Sequence, residues 1–370
     1  MLISAGSNAH GQLSNGSLDD SHSFSPSSFH GFEPGVIPGK LLDLVCGANH
    51  TITLLEINDH PELWGCGDGS SGQLGPSYTR EDSTIFKPLD LLLEKNGFAG
   101  YFPRLVCASW ETTYIVLSSP DMPDTLISMG ANDFGDLGIG AQKVPAKDFH
   151  VVHPTDRPFI VESLLAGQHH VIAKLTTPSE TLVVGWGTSR HGQLGNNLAT
   201  KPFLSSPEII ILPTPISSAA LGHQHTVLLH SSGTLSGLGS NRKHQLQGIG
   251  ECADIKGVAC TWNGTFLLTH DQHILSAGQL GRETTTALAH VKFPFTNATH
   301  RLTRIACGSE HVLACFVLRD SSEVWGWGWN EHGNLGIGTT EDVCVPVRLW
   351  SGPGDVGIWA GSGTSWIAVQ

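Results

Sequence analysis

Charge is scarce in this chain: Asp, Glu, Lys and Arg make up only 14% of its 370 residues. Long solvated helices are therefore not expected, because their exposed faces would need more Lys and Glu. Cations are the rarer sign, with 20 Lys and Arg against 33 Asp and Glu and a net charge of -13. Such a surface repels nucleic-acid phosphate on average, so direct binding of DNA or RNA is not expected. Close cysteine pairs are missing. The eight cysteines, at 46, 66, 107, 252, 260, 307, 315 and 344, contain no Cys-x-x-Cys. That argues against a zinc site, a redox dithiol or a disulfide framework. No apolar run approaches the ~20 residues of a membrane helix. The segment Met1-Leu2-Ile3-Ser4-Ala5-Gly6 has neither the basic region nor the apolar stretch of a secretory signal. These absences suit a soluble protein of a reducing compartment, expected in the cytoplasm with the nucleus as a second location.

What the chain has is glycine, 44 residues of it, beside 20 prolines. That composition points to many tight turns between short strands. The glycines recur in register. One column ends a short strand at Gly6, Gly67, Gly130, Gly187, Gly239, Gly278 and Gly328. Seven residues after most of these stands a leucine: Leu13, Leu74, Leu137, Leu194, Leu246 and Leu335. The intervening turn reads Gly72-Gln73-Leu74-Gly75, Gly192-Gln193-Leu194-Gly195 and Gly333-Asn334-Leu335-Gly336. The copy after Gly278 has lost it and reads Gln279-Leu280-Gly281-Arg282. A second column precedes the first in each unit. It reads Cys46-Gly47-Ala48-Asn49-His50, Ala166-Gly167-Gln168-His169-His170, Leu221-Gly222-His223-Gln224-His225 and Cys307-Gly308-Ser309-Glu310-His311. Degenerate copies are Ala108-Ser109-Trp110-Glu111-Thr112, Cys260-Thr261-Trp262-Asn263-Gly264 and Ala360-Gly361-Ser362-Gly363-Thr364.

Runs such as Leu41-Leu42-Asp43-Leu44-Val45-Cys46 and His50-Thr51-Ile52-Thr53-Leu54-Leu55 are short, apolar or alternating, and bounded by glycine. They read as strands. Units of this size cannot bury both faces alone, so they must stack. The head supplies the first column of one unit and the tail supplies its second. The expected fold is thus all-β, a single seven-bladed propeller with one blade closed by both termini. Its blades are expected around residues 41–75, 104–140, 161–195, 216–250, 255–281, 301–338, and 355–370 together with 1–16. The Ser-rich segment 14–28 is expected to be a mobile loop. Residues 76–103, 141–160 and 197–215 are expected as further insertions.

The pairing of Trp-Gly-x-Gly and Gly-Gln-Leu-Gly with Cys-Gly-x-x-His-Thr resembles the repeat of the regulator of chromosome condensation family. It does so over essentially the whole chain. The resemblance implies a seven-bladed propeller with a split blade. Ser109-Trp110-Glu111-Thr112-Thr113, Cys260-Thr261-Trp262, Trp325-Gly326-Trp327-Gly328 and Thr364-Ser365-Trp366-Ile367 are similar to a fungal branch of that family. That likeness implies a heterodimer with a small zinc- or iron-binding diphthamide-biosynthesis protein of the CSL zinc-finger type. It further implies support of wobble-uridine modification of tRNA by the Elongator complex and of diphthamide synthesis on elongation factor 2. The alternative is guanine-nucleotide exchange on a small GTPase. The chain opens directly on Met1-Leu2-Ile3 without a basic segment, which places exchange with chromatin docking second.

No catalytic set, cofactor motif or metal site is expected. His50, His170, His225 and His311 occupy one repeat column, and a catalytic residue has no reason to recur in every blade. Their expected role is a hydrogen bond between neighbouring turns. His169-His170 and His223-x-His225 have ligand-like spacing but no third ligand nearby in sequence. An enzyme built on the propeller axis would need a deep pocket lined by paired carboxylates. The residues expected to bind a partner are Trp110, Glu111, Trp262, Asn263, Glu310 and Trp329. Trp110 and Trp262 fill a turn position held elsewhere by Ala48, Gln168, His223, Ser309 and Ser362. Two readings stand for them: exposed interface anchors at the inner rim, or patches over the cores of degenerate blades.

Overall fold

The computed structural model describes residues 1–76, 78, 83–140, 149–280 and 283–369. Gly281 and Arg282 of the expected lost turn lie outside these residues, as do 79–82 and 141–148 of two expected insertions. Among the described residues the only helical segments are the short 3-10 turns Asn196–Leu198 and Ile249–Glu251, and no helix is long and apolar enough to cross a membrane.

Seven antiparallel sheets make up the fold. Their first strands are Lys40–Cys46 in blade 1, Phe102–Ala108 in blade 2, Ile160–Ala166 in blade 3 and Ile216–Leu221 in blade 4. Ile255–Cys260, Arg301–Cys307 and Val356–Ala360 begin blades 5, 6 and 7. Each of these strands touches the first strand of the next blade, and blade 7 returns to blade 1, so they ring an axis. Within a blade the chain steps outward strand by strand. Hydrophobic clusters fill the seams between blades rather than one central core. Leu74, for example, packs with Ile52 and Leu63 of blade 1 and Ile115 and Met129 of blade 2.

Blade 7 is the split one. Val356–Ala360 and Thr364–Val369 form its inner half, and Leu2–Gly6 and Ser21–Pro26 its outer half. Leu2 pairs with Ala368 and Gly6 with Thr364. The terminal ammonium of Met1 donates to the Val369 carbonyl at 2.6 Å.

The expected loops need correction. Ser21–Pro26, read as part of a mobile loop, is the outermost strand of blade 7. The expected insertions likewise contain the outermost strands Ser83–Pro88, His150–Val152 and Phe203–Ile209. An outermost strand has one neighbour and one open edge, so it carries little of the apolar alternation that marks inner strands. Blade 4 differs from all the others. It stops at three strands, the third being Leu235–Gly239.

The glycine column has a definite geometric cause. All seven members adopt positive φ, between 88° and 121°. A Cβ at Gly67 would overlap the backbone carbonyl of Asn49, and one at Gly328 that of Glu310. The bend aims the next amide at that same carbonyl. Asp68 N–H donates to Asn49 at 2.8 Å, Ala131 N–H to Glu111 at 2.9 Å and Trp329 N–H to Glu310 at 2.9 Å. The other four blades repeat the bond from Ser7, Thr188, Ser240 and Gln279. This places the first turn of each blade on one face, here termed the loop face, together with the second motif turn where the blade retains it.

The histidine column stitches blade to blade. His50 Nε2 lies 3.0 Å from the Thr113 hydroxyl of blade 2, and that hydroxyl donates to the Gln73 carbonyl of blade 1 at 2.8 Å. The threonine proton is therefore spent, and His50 must donate from Nε2. His170, His225 and His311 reach Thr226, Thr265 and Ser365 of the following blade at 3.1, 3.2 and 3.1 Å. Each ring lies against the glycine of its own turn, and a Cβ on Gly47, Gly222 or Gly308 would overlap it. Two copies that lack the histidine, Ser109 with Thr112 and Thr261 with Gly264, also carry a side chain where the glycine stood. Burial depresses the histidines, His50, His225 and His311 to about 4 and His170 to about 3.

Two outcomes are expected. Gly67→Ala should lower the unfolding free energy by more than about 2 kcal/mol, through strain and loss of the carbonyl bond. Gly97→Ala also has positive φ but open space around it, and should cost only about 1 kcal/mol; urea titrations of both variants check this. The histidines also set a pH dependence. Unfolded histidine titrates near ~6.5, whereas the four folded ones stay neutral to lower pH. Their contribution is complete above that value. It is lost as pH falls toward 4, by up to about 1.4 kcal/mol per pH unit for each. Urea midpoints should fall steeply between pH 7 and pH 5, and a flat profile would contradict the assignment.

Candidate protein-docking face

The seven first turns meet around the axis at the loop face. Backbone bonds join those of blades 1, 2 and 3 in one run and those of blades 4, 5 and 6 in another. Ala48 N–H donates to the Trp110 carbonyl at 2.8 Å, and Trp110 N–H to Gln168 at 3.0 Å. His223 N–H donates to Trp262 at 3.1 Å, and Trp262 N–H to Ser309 at 2.7 Å. The Ser309 hydroxyl donates onward to the Ser362 carbonyl. The turn position that carries the tryptophans is thus part of a bonded rim, and its backbone is fixed by the neighbouring blades.

Trp110 belongs to blade 2 and Trp262 to blade 5, yet their ring centroids lie 5.8 Å apart. Two blades separate them along the shorter arc, so the contact crosses the axis. The tryptophans lean over the channel mouth and lie against each other, both half-buried. Neither expected reading describes them fully. They do not fold down over their own blades, and they are not freely exposed. The rim is narrow enough for opposite indoles to meet, a distance that one repeat's sequence does not carry. Flanking them are aromatic residues not included among the expected docking residues. His169 sits 6.2 Å from Trp110 and 4.5 Å from Phe134, and His223 sits 5.8 Å from Trp262. Burial holds His223 below the usual imidazole range, with His169, His191 and Arg190 adding to the effect. The ligand-like spacing of these histidines serves an aromatic cap. Among the described residues no group of three or more His, Cys, Asp or Glu is placed to hold a metal.

The other expected residues continue from the cap. Asn263 Nδ2 donates to Glu310 Oε1 at 3.4 Å. Burial raises the Glu310 carboxyl, the Asn263 amide opposes the rise, and Asp342 adds to it. Trp329 follows through its bond to Glu310, and its ring meets His332 edge-on at 5.3 Å. His332 Nδ1 pairs with Asp20 of blade 7 at 2.6 Å. Glu111 is anchored by its carbonyl, which accepts Ala131 N–H. The structure therefore brings Trp110 against Trp262, Asn263 against Glu310, and Trp329 against Glu310. The result is a strip from the axis to the rim of blade 6.

Beneath the cap the axis holds an open cavity of about 420 Å³. Val45, Leu165, Ile305 and Ile358 line it, and its single carboxylate is Asp43. Asp43 accepts from Trp359 Nε1 at 3.0 Å, and Arg304 lies over the Trp359 ring at 5.5 Å. Paired carboxylates of the kind an acid–base site requires are not in this lining. Cys46, Cys260 and Cys307 face the same channel, enclosed by protein although water can enter. Burial pushes the thiols of Cys46 and Cys260 up to about 12. All eight cysteines are free thiols.

The tryptophan pair has an optical consequence. Two indoles at this separation should give an exciton couplet in the far-ultraviolet circular dichroism. Trp110→Phe and Trp262→Phe should each remove the same couplet while leaving the melting temperature within a few degrees. Independent, non-identical losses would contradict the contact.

The description "Regulator of chromosome condensation (RCC1) repeat" matches residues 302–334 and 321–363. The ultraviolet-B receptor UVR8 of Arabidopsis thaliana is 26% identical over 347 residues, covering 84% of this chain and 70% of that protein. The secretion-regulating guanine nucleotide exchange factor of Mus musculus is 28% identical over 402 residues, covering 95% and 79%. An RCC1 repeat-containing protein of Schizosaccharomyces pombe is 25% identical over 386 residues, covering 100% and 99%. Among solved structures, human WBSCR16 superposes with a TM-score of 0.78 at 19% identity, covering 100% and 98%. Prp20p of Saccharomyces cerevisiae gives 0.75 at 17%, covering 99% and 90%. These two likenesses speak for the fold.

Proposed function

We propose that this chain, an RCC1-like seven-bladed propeller, is a non-catalytic docking platform that binds another protein through its loop face. The observation that carries the reading is the strip formed by Trp110, Trp262, Asn263, Glu310 and Trp329, with the two indoles meeting over the axis. Large half-buried aromatics on a bonded rim offer apolar area at little ordering cost. The rim is held by seven blades, so docking would need small backbone movement.

Two partner classes follow. The similarity of the degenerate turns to the fungal alpha-tubulin suppressor, or killer-toxin-insensitivity, proteins supports a small CSL-type metalloprotein. On that reading the pair serves wobble-uridine modification by Elongator and diphthamide synthesis, and the propeller shields or positions its partner. The second reading is nucleotide exchange on a small GTPase. It is favoured by relatives named as secretion-regulating guanine nucleotide exchange factors and as RCC1-like G exchanging factor-like proteins.

Affinity capture of the full chain from native cells, with mass spectrometry, tests the platform. Trp110→Ala combined with Trp262→Ala should remove the principal partner and leave urea stability within about 2 kcal/mol of the parent. Retention of every partner by the double variant would overturn the loop-face reading. A nucleotide-release assay across small GTPases separates the partner classes: acceleration assigns exchange, whereas capture of a CSL-type protein without acceleration assigns the first class.

A further inference from the structure

Blade 4 presents a sheet edge that the other blades cover. In the other six blades the third strand pairs with a fourth. Leu235–Gly239 of blade 4 pairs only with His225–His230. The exposure of matching glycines shows the difference. Gly65, Gly185 and Gly326 are buried in blades 1, 3 and 6, while their counterpart Gly237 is exposed. Gly239 is likewise the one member of the seven-glycine column that is not buried.

Which backbone groups face outward follows from the complete blades. The carbonyls of Leu63, Val183 and Ile274 accept the amides of Leu89, Ile210 and Val291, at 2.8, 2.8 and 2.9 Å, just beyond the fourth strand. Those residues align with Leu235, so Leu235 and, two residues on, Gly237 point the same way. Among the described residues nothing bonds to the outward groups of either. The face of the blade is packed nonetheless. Leu246 and Ile249 press on Gly237 as Leu74 and Leu89 press on Gly65. The side chains of a complete blade are present, and only the pairing strand is absent.

We propose that this edge receives an extended segment of a partner polypeptide, which completes blade 4 as its fourth strand. The chain's own blades supply the register, antiparallel, with the incoming residue opposite Gly237 taking the place that Lys87 holds opposite Gly65 and Glu208 opposite Gly185. Strand addition of this kind draws its affinity from main-chain bonds. An exposed edge left unpaired is otherwise a hazard that proteins cover or charge. Charge selects the segment. Leu235–Gly239 runs toward the loop face, where Arg242 and Lys243 stand exposed and form no salt bridge among the described residues. An antiparallel strand begins at that end, so the fitting segment has acidic residues followed by an alternating apolar run. The edge is the third strand of its blade whereas the tryptophan cap is built on first turns, and Lys243 lies close enough to Glu310 of that strip to favour its carboxylate.

The chain contains a probe of that form. Residues 81–89, Glu-Asp-Ser-Thr-Ile-Phe-Lys-Pro-Leu, join an acidic lead to the strand that closes blade 1. A fluorescein-labelled peptide of this sequence is titrated into the full chain, with amide hydrogen exchange followed in parallel. In the free protein the Gly237 amide should exchange at least about tenfold faster than those of Gly65 and Gly185. The peptide should bind saturably and slow exchange at Gly237. N-methylation at alternate residues along the pairing edge should abolish binding, while N-methylation along the other edge should not. Arg242→Glu with Lys243→Glu, both at exposed positions, should weaken binding about tenfold. The proposal is overturned by absence of saturable binding, by protection arising away from Leu235–Gly239, or by a Gly237 amide already as slow as Gly65. A concentration-dependent dimer that protects Gly237 without peptide would assign the edge to a second copy and overturn it equally.

Discussion

In every blade the amide after the strand-ending glycine donates to the carbonyl that closes the first turn, and this bond recurs seven times. It requires a backbone conformation that side chains resist, and space that a Cβ would fill. In each blade the first turn and the end of the third strand are consequently held on one face at a fixed separation. The histidine bonds between blades and the carbonyl rim around the axis build on that arrangement. A docking surface assembled from loose turns would be soft, whereas one whose turns are bonded is a frame.

Much of this was legible in the chain because the constraint acts on residue type. Glycine at positive φ and histidine lying on glycine leave a strict mark at fixed spacing, so the number of blades and the closure of blade 7 could be read directly. The fourth strands left no such mark. Ser21–Pro26 and Phe203–Ile209 lie at blade edges where polar and apolar residues serve equally well, so they read as loops. The short third blade edge of blade 4 was hidden for the same reason, since a missing strand of weak pattern resembles a present one.

The loop-face residues were legible as individuals but not as an arrangement. Trp110 and Trp262 stood out because they replace small or polar residues in a repeated turn. Their contact across the axis depends on ring closure, which no local window contains. His169 and His223 showed a spacing that suggests ligands, and the surrounding Phe134, Trp110 and Trp262 give it an aromatic meaning instead. The two tryptophans of the cap sit in turns that lost the glycine–histidine stacking, whereas His169 and His223 come from turns that keep it.

The split blade has a consequence for how the molecule is made. Leu2–Gly6 leaves the ribosome long before its inner pairing partner, Thr364–Val369. Throughout elongation that early strand lacks its neighbour, and the seam between blades 7 and 1 lacks Trp366 and Ala368 from its apolar filling. The ring can close only after translation has passed residue 369. Until then the nascent chain is an open arc with two unfinished ends, which is the interval when a chaperone would have most to hold.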